Sequence, residues 1–309
     1  MTARPLRLGT RGSPLALAQA RMVKVALAAA WPELAPEEAI EIVVVKTTGD
    51  RVQDRPLAEI GGKGLFTKEI EEGLLAKSLD LAVHSMKDMP TILPEGLVIE
   101  AVLPRADPRD ALIARGAGSL AELPARTIVG TASLRRAAQL LAARPDLEVV
   151  PLRGNVQTRL RKLEAGEVGA TFLAMAGLER LGLAHVATAP LAPEEMLPAV
   201  AQGAIGIECR AGDDRLLTLL ARINHEATMT AITAERAFLA ALDGSCRTPI
   251  AAFAELEGDR LRLRGLVASP DGRSVEMTAA SGAATDARAI GHAAGHEIRG
   301  RLPPGFFAS

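Results

Sequence analysis

Two thiols, one acid set among cations and a series of arginines are the groups in this sequence with chemistry to offer. Cys246 lies in Asp243-Gly244-Ser245-Cys246-Arg247. Glycine frees the backbone there, and an adjacent cation favours the thiolate over the thiol. A structural thiol is the plainer reading, and the residues alone leave both open. Cys209 lies in the apolar run AIGIECR and reads as a buried core thiol. Asp88 adjoins Lys87 just after the run LAVHSM. Such a carboxylate makes either a surface ion pair of little worth or a group that moves protons and faces developing positive charge. There is no C-x-x-C, and the five histidines are taken as scattered, so no metal site is expected.

The elements that would position these groups alternate. LRLGT (6–10) reads as a strand and 13–30 as a helix, with Ser13 as N-cap and Pro14 in the first helical position. Strands come next at 40–47 and 79–86, with an amphipathic helix over 65–77 between them. The rhythm restarts with strands at 127–131, 147–152 and 169–176, separated by helices from 133 to 143 and over 155–165, and a further strand spans 204–210. Alternation of this kind implies βαβ units and a mostly parallel sheet. From 226 the pattern becomes a long helix to 242, three alternating apolar runs and a final helix over 284–301. The fold expected is two similar doubly wound α/β domains around a cleft, like a periplasmic binding protein. A smaller α+β domain with a three-stranded antiparallel sheet completes it. The domains expected are 1–104 with 200–222, then 105–199, then 223–309, which carries Cys246.

Ligands of parallel α/β sheets bind beyond the carboxyl ends of the strands, at helix N-termini. Each strand here leads into a hydroxyl, a cation or both: Arg11 and Ser13; Lys87 and Asp88; Thr131, Ser133, Arg135 and Arg136; Arg153 and Arg159. Arginine pairs bidentately with carboxylates and phosphates, so this set predicts a polyanionic ligand. The polar stretch 47–64 is long for a connection and reads as a surface loop or an active-site lid.

Bulk properties narrow the classes. The chain has 309 residues, of which 48% are hydrophobic and 24% charged. A net charge of −1 argues against a general nucleic-acid binder. No apolar run approaches the ~18 residues of a membrane span, and MTARPLRLGTRGSP lacks the features of a secretory leader. A cytoplasmic location is expected. Of 36 basic residues 29 are arginine, so the placement of particular arginines carries the argument, not their number.

Seven blocks in order, RGSPLALAQA (11–20), GGKGLFTKEIE (61–71), LAVHSMKDMP (81–90), GTASLRRAAQL (130–140), LRGNVQTRL (152–160), PAVAQGAIGIECR (198–210) and LDGSCRTPIAAFA (242–254), resemble the porphobilinogen deaminase family, the hydroxymethylbilane synthases. The resemblance implies an enzyme with a dipyrromethane cofactor on Cys246 through a thioether. Four porphobilinogens are joined to that primer head to tail, ammonia leaving each time, and the linear tetrapyrrole is released by hydrolysis. It implies that Asp88 is the catalytic carboxylate, assisting loss of ammonia, facing the cationic azafulvene and helping remove the proton after carbon–carbon bond formation. Ser13, Lys87, Asp88, Thr131, Ser133, Arg135, Arg136 and Arg153 would contact the cofactor. Arg11, Ser13, Phe66, Arg153, Arg159 and Gln202 would contact substrate. The stretch 47–64 would be the family's lid, and the protein a monomer without metal or nucleotide. Gly12, Met89 and Ala132 depart from common family residues, but none removes a charge or a proton donor.

Two rival classes remain at this level: a non-catalytic polycarboxylate-binding protein, and a cysteine-nucleophile transferase unrelated to pyrroles. The mass of a dipyrrole on Cys246 distinguishes both from the first reading.

Overall fold

A computed structural model describes residues 4–51, 66–244, 248–303 and 306. In chain order the first elements are β1 (Leu6–Arg11), α1 (Pro14–Ala30), β2 (Ile40–Val45), the single turn α2 (Thr48–Arg51), α3 (Lys68–Leu75), β3 (Leu81–Ser85) and β4 (Leu97–Val102). Then come β5 (Asp110–Ala114), β6 (Ile128–Gly130), α4 (Leu134–Ala143), β7 (Glu148–Val150), α5 (Val156–Glu164), β8 (Ala170–Ala174), α6 (Met175–Arg180) and β9 (Ala189–Pro190). The chain closes with β10 (Ile205–Arg210), α7 (Asp214–Ala221), α8 (Glu226–Ala241), β11 (Ile250–Glu257), β12 (Arg260–Ala268), β13 (Val275–Ala283) and α9 (Ala287–Arg301).

These form two compact units, Met1–Arg105 with Ala204–Met229, and Ala106–Gly203 with Thr230–Ser309. The first unit holds a five-stranded sheet of order β2-β1-β3-β10-β4, and the second one of order β7-β6-β8-β5-β9. The two orders share one plan. In each, three neighbouring strands run parallel, and the fourth position is taken by an antiparallel strand. That strand is β10 in the first sheet, supplied by the returning chain, and β5 in the second, supplied as the chain arrives. The mostly parallel sheets expected from the alternation therefore each contain one reversed strand.

Apolar faces on both sides of each sheet explain the burial. In the first unit Leu8, Ala20, Val23, Leu27, Ile205, Ile207 and Cys209 share one buried cluster, while Ile70, Leu74, Leu79 and Ala82 form another. In the second, Leu112, Val129, Leu140 and Phe172 cluster apart from Ala111, Ile113, Leu163, Leu173 and Leu178. Adjacent residues of one strand fall in different clusters, as a period of two requires.

The three-stranded sheet β11-β12-β13 is antiparallel throughout and belongs to the second unit. Phe238 of α8 is fully buried over Gly265 of β12, where a Cβ would lie 2.4 Å from its ring. Strands β4, β5 and β9 and helices α6 and α7 were not anticipated; β9 is two residues long and gives no periodic signal. Of the expected lid stretch 47–64, residues 48–51 form α2, and 52–64 lie outside the described residues.

Helix α9 approaches α8 at two glycines. A Cβ on Gly291 would stand 2.0 Å from the Ala234 carbonyl oxygen, and one on Gly295 2.8 Å from that of Phe238. Backbone cannot yield as a side chain tip does. Gly291→Ala is expected to lower stability by about 1–3 kcal/mol, read as a lower urea midpoint with an unchanged slope. A midpoint equal to the parent's would show that the two helices are not in close contact.

Candidate functional site

In the first unit an open cavity lies beyond the carboxyl ends of β1 and β3, lined by Arg11, Ser13, Gln19, Phe66, Thr67, His84, Ser85, Asp88 and Met89 among others. Each polar group has a structural reason to be there. Arg11 ends β1, and its guanidinium lies over the Phe66 ring, 4.1 Å from the centroid. Stacking of this kind orients the plane of the guanidinium. Ser13 caps α1, its Oγ accepting from the Ala16 N–H at 3.2 Å. Gln19, one of the buried residues of α1, donates through Nε2 to Ser85 Oγ at 2.7 Å.

Lys87 and Asp88 sit on a single 3₁₀ turn, Met86–Asp88, directly after β3. Met86 is 2% exposed and fills the space over Gly206 of β10, where a Cβ would meet its sulfur at 2.1 Å. The Met86 N–H also donates to the Ala204 carbonyl at 3.1 Å. One residue is thus pinned inward, and the exposed Asp88 turns to the cavity.

Behind the cavity wall lies a buried acid–imidazole group. His84 Nε2 is 3.0 Å from Glu208 Oε2, both side chains nearly inaccessible. Glu71 of α3 is buried as well. Burial raises its carboxyl above the usual range, partly opposed by Thr67, and the neighbouring Glu208 adds to the rise.

In the second unit Arg135, Arg136 and Gln202 converge on one carboxylate. Asp110 is fully buried. It accepts from Arg135 Nη1 at 2.7 Å, Arg136 Nε and Nη2 at 3.1 and 2.7 Å, and Gln202 Nε2 at 2.9 Å. Burial alone would raise this carboxyl. Arg135 and then Arg136 outweigh it and hold the group well below the usual carboxylate range. Arg136 also donates Nη1 to the Phe172 carbonyl at 2.9 Å, so all three of its nitrogens are engaged by protein. Arg135 Nη1 additionally reaches the Leu197 carbonyl at 2.8 Å. Arg136 was expected at the cofactor and Gln202 at the substrate, and here both donate to an internal acid. Their buried groups are directed at Asp110.

This clamp positions the start of α4. Thr131 Oγ1 accepts from the Ser133 N–H at 3.2 Å, and Ser133 caps the helix by accepting from the Arg136 N–H at 3.4 Å. After β7 the chain makes a comparable turn. Gly154 has φ +116°, a left-handed value that favours glycine, and Asn155 caps α5 by accepting from the Thr158 N–H at 2.9 Å. Arg159 donates to the Gly154 carbonyl at 2.9 Å. Among the described residues the buried Arg153 Nη1 has no hydrogen-bond partner, and it is a donor whose desolvation is offset only when an acceptor arrives.

The three helices after these strand ends share one omission. No acidic residue occupies the first turn of α1, α4 or α5, a lack they share with α6 and α9, whereas α3, α7 and α8 each have at least one. Acids are favourable at helix N-termini, and leaving them out keeps those positive ends for an external anion. Cations, hydroxyls and acid-free helix starts recur in each unit, and such groups suit carboxylates of the kind a dipyrromethane bears. Cys246 lies outside the described residues. Cys209 is fully buried, and burial pushes its thiol up to about 12.

Sequence reasoning passes over Gln19, His84, Ser85 and Asp110. His84 and Ser85 stand inside the block LAVHSMKDMP, between its apolar run and its charged pair. The acid Asp110, in the otherwise apolar strand DALIA, is the signal that a buried partner must exist.

Two family models match the chain: "Porphobilinogen deaminase, dipyromethane cofactor binding domain" over residues 6–218 and "Porphobilinogen deaminase, C-terminal domain" over 229–300. A porphobilinogen deaminase of Paracoccus denitrificans is 60% identical over 303 residues, covering 98% of this chain and 96% of that one. A chloroplastic porphobilinogen deaminase of Oryza sativa subsp. japonica is 57% identical over 307 residues, covering 98% and 86%.

The Asp110 clamp yields a stability prediction. Asp110→Asn leaves two buried arginines without their anion, and breaking a buried pair in this way costs about 3–5 kcal/mol. Because the folded carboxyl titrates below its unfolded value, its contribution is present above about pH 4. It is lost as pH falls below that, through the folded value. Urea unfolding at pH 7 should show the deficit, and the gap between parent and variant should narrow on acidification. Equal midpoints at pH 7 would remove Asp110 from its structural role.

Proposed function

The chain belongs to the porphobilinogen deaminase family, and on that premise we propose that it joins porphobilinogen units head to tail, with loss of ammonia, on a primer held by Cys246. The observation that supports this most directly is Asp88 in one cavity with Arg11, Ser13 and Phe66. A carboxylate is there combined with a stacked cation and a helix start, the elements needed to hold an acidic pyrrole and move a proton on it.

A dipyrromethane, once attached, would supply the electron-rich pyrrole end that takes the first unit and would anchor the growing chain until release. The chain's own residues do the rest. Arg11, fixed over Phe66, binds a carboxylate of the incoming porphobilinogen, and Ser13 adds a hydroxyl contact at the start of α1. Asp88 faces the positive charge that develops as ammonia leaves, and accepts the proton released when the new carbon–carbon bond is complete. Lys87, Thr131, Ser133, Arg135 and Arg153 hold acetate and propionate groups, Arg153 through its buried unpartnered Nη1. Arg159 adds a cation at the α5 start. Arg136 and Gln202, engaged on Asp110, contribute by fixing Arg135 and the α4 start.

Residues 223–309 act as a separate domain bearing Cys246, a division supported by the distinct family model over 229–300. Among the described residues no helix is long and apolar enough to cross a membrane. The reading extends to a cytoplasmic monomer acting on a small acidic substrate without nucleic acid, and of these the bacterial relative supports the location alone.

Two experiments test this reading. Cys246→Ser should fold yet lack the mass of a dipyrrole, because a hydroxyl is a poorer nucleophile than a thiolate. Cys209→Ser should retain that mass. A dipyrrole on Cys246→Ser, or its loss from Cys209→Ser, would reverse the assignment of the two thiols. Asp88→Asn keeps the shape of the site but loses both the charge and the proton acceptor. It should retain covalently bound pyrroles while releasing ammonia at least about a hundredfold more slowly in a single turnover. Ammonia release near the parental rate would reduce Asp88 to a surface charge.

A further inference from the structure

His292 and His296 are four residues apart on α9, and one helical turn places them on the same face. The expectation that the histidines are merely scattered fails here. The rings meet edge to face, centroids 4.3 Å apart and planes at 66°, with the two Nε2 atoms 3.3 Å from each other. The opposite face of α9 settles where this pair points. Gly291, Ala294, Gly295 and Ile298 are buried, and the glycines lie against the α8 backbone. The helix cannot rotate without a clash, so both imidazoles are held outward, exposed, on a rigid element.

Two facing ring nitrogens can share a proton or a cation. An N–H···N bond of 3.3 Å is long against the usual ~2.9–3.0 Å for a nitrogen donor. A cation suits the nitrogen spacing, and binding it requires the two rings to swing out of edge-to-face contact until both lone pairs face the ion. Two nitrogens each about 2.0–2.1 Å from a tetrahedral zinc stand roughly 3.3–3.4 Å apart. We propose that His292 and His296 chelate one divalent transition-metal ion of the zinc, nickel and copper class through their Nε2 atoms, at a surface site that the tetrapyrrole chemistry does not use.

The surroundings define what kind of site this is. No group of three or more metal-ligating side chains occurs among the described residues, so the protein supplies two ligands and water the rest. Glu297 is turned to other partners, accepting from Thr278 Oγ1 at 2.7 Å and pairing with Arg301 at 3.6 Å. Gly300, one turn beyond His296, leaves open space for bound water. Arg288 lies one turn before His292 and Arg299 three residues after His296, the latter turned to Asp243 and the Ala241 carbonyl, and their charge weakens the site without blocking it. Neutral imidazole is the ligand, so acid releases the ion. Affinity should rise from manganese through nickel to copper, with zinc below copper.

The test is calorimetric titration of zinc chloride into the tag-free full-length protein and into His292→Ala, His296→Ala and His185→Ala. The parent should take up one equivalent that is at least about tenfold weaker in each α9 variant, or about 1.4 kcal/mol, and unchanged in His185→Ala. Zinc should also raise the thermal midpoint of the parent and of His185→Ala but of neither α9 variant, because the chelate exists only in the folded helix. Alanine is a strong helix former on an exposed face, so all three variants should fold and turn over porphobilinogen as the parent does without added metal. Parental zinc affinity in either α9 variant would overturn the proposal, since the ion would then need only one of the two rings or bind elsewhere.

Discussion

Asp110 carries a negative charge where no water reaches it, and the strand-end surface of the second unit is organised around satisfying that charge. Two guanidinium groups and the Gln202 amide surround it. An isolated buried carboxylate would take up a proton; here the cations keep it ionised. Because Arg135 and Arg136 open α4, a carboxylate on β5 determines where that helix begins, and with it where the Thr131–Ser133 turn presents its donors. A cation already neutralised by an internal acid is also tolerable in the core in a way that a free one is not. The start of α4 is thus backed by buried charge pairs.

The same division of labour recurs in the first unit at lower charge. Met86 is buried so that Lys87 and Asp88 face outward, and Gly206 makes room for it. Arg11 rests on Phe66, and Gln19 and Ser85 hold each other. Behind them His84 and Glu208 form a buried pair. Each outward group is held by an inward one, which limits the entropy lost when a ligand orders the site.

Exchange of one strand in each sheet gives the two units a common plan. Position four of either sheet is filled from a part of the chain remote from its neighbours: β10 returns to the first sheet, and β5 begins the second. The exchange places the buried acids Glu208 on β10 and Asp110 on β5 beside the parallel strands β3 and β8. In both units the reversed strand therefore carries the carboxylate that backs the functional surface.

Much of this was legible in the amino-acid order, because local rules suffice for it. Period-two and helical patterns located β1, β2, β3, β6, β8, β10 and the long helices. Ser13 and Ser133 marked helix starts, and cations after strand ends marked an anion site. The apolar run around Cys209 foretold a buried thiol, which its complete burial bears out. Partnership was not legible, because a side chain's neighbours across a sheet are set by strand order, which periodicity does not encode. Arg135 and Arg136 read identically whether they face a ligand or an internal acid, and only the arrival of β5 beside β8 turns them on Asp110. His292 and His296 have helical spacing on any reading of the chain. The glycines packed on α8 are what decide that both rings point outward and meet.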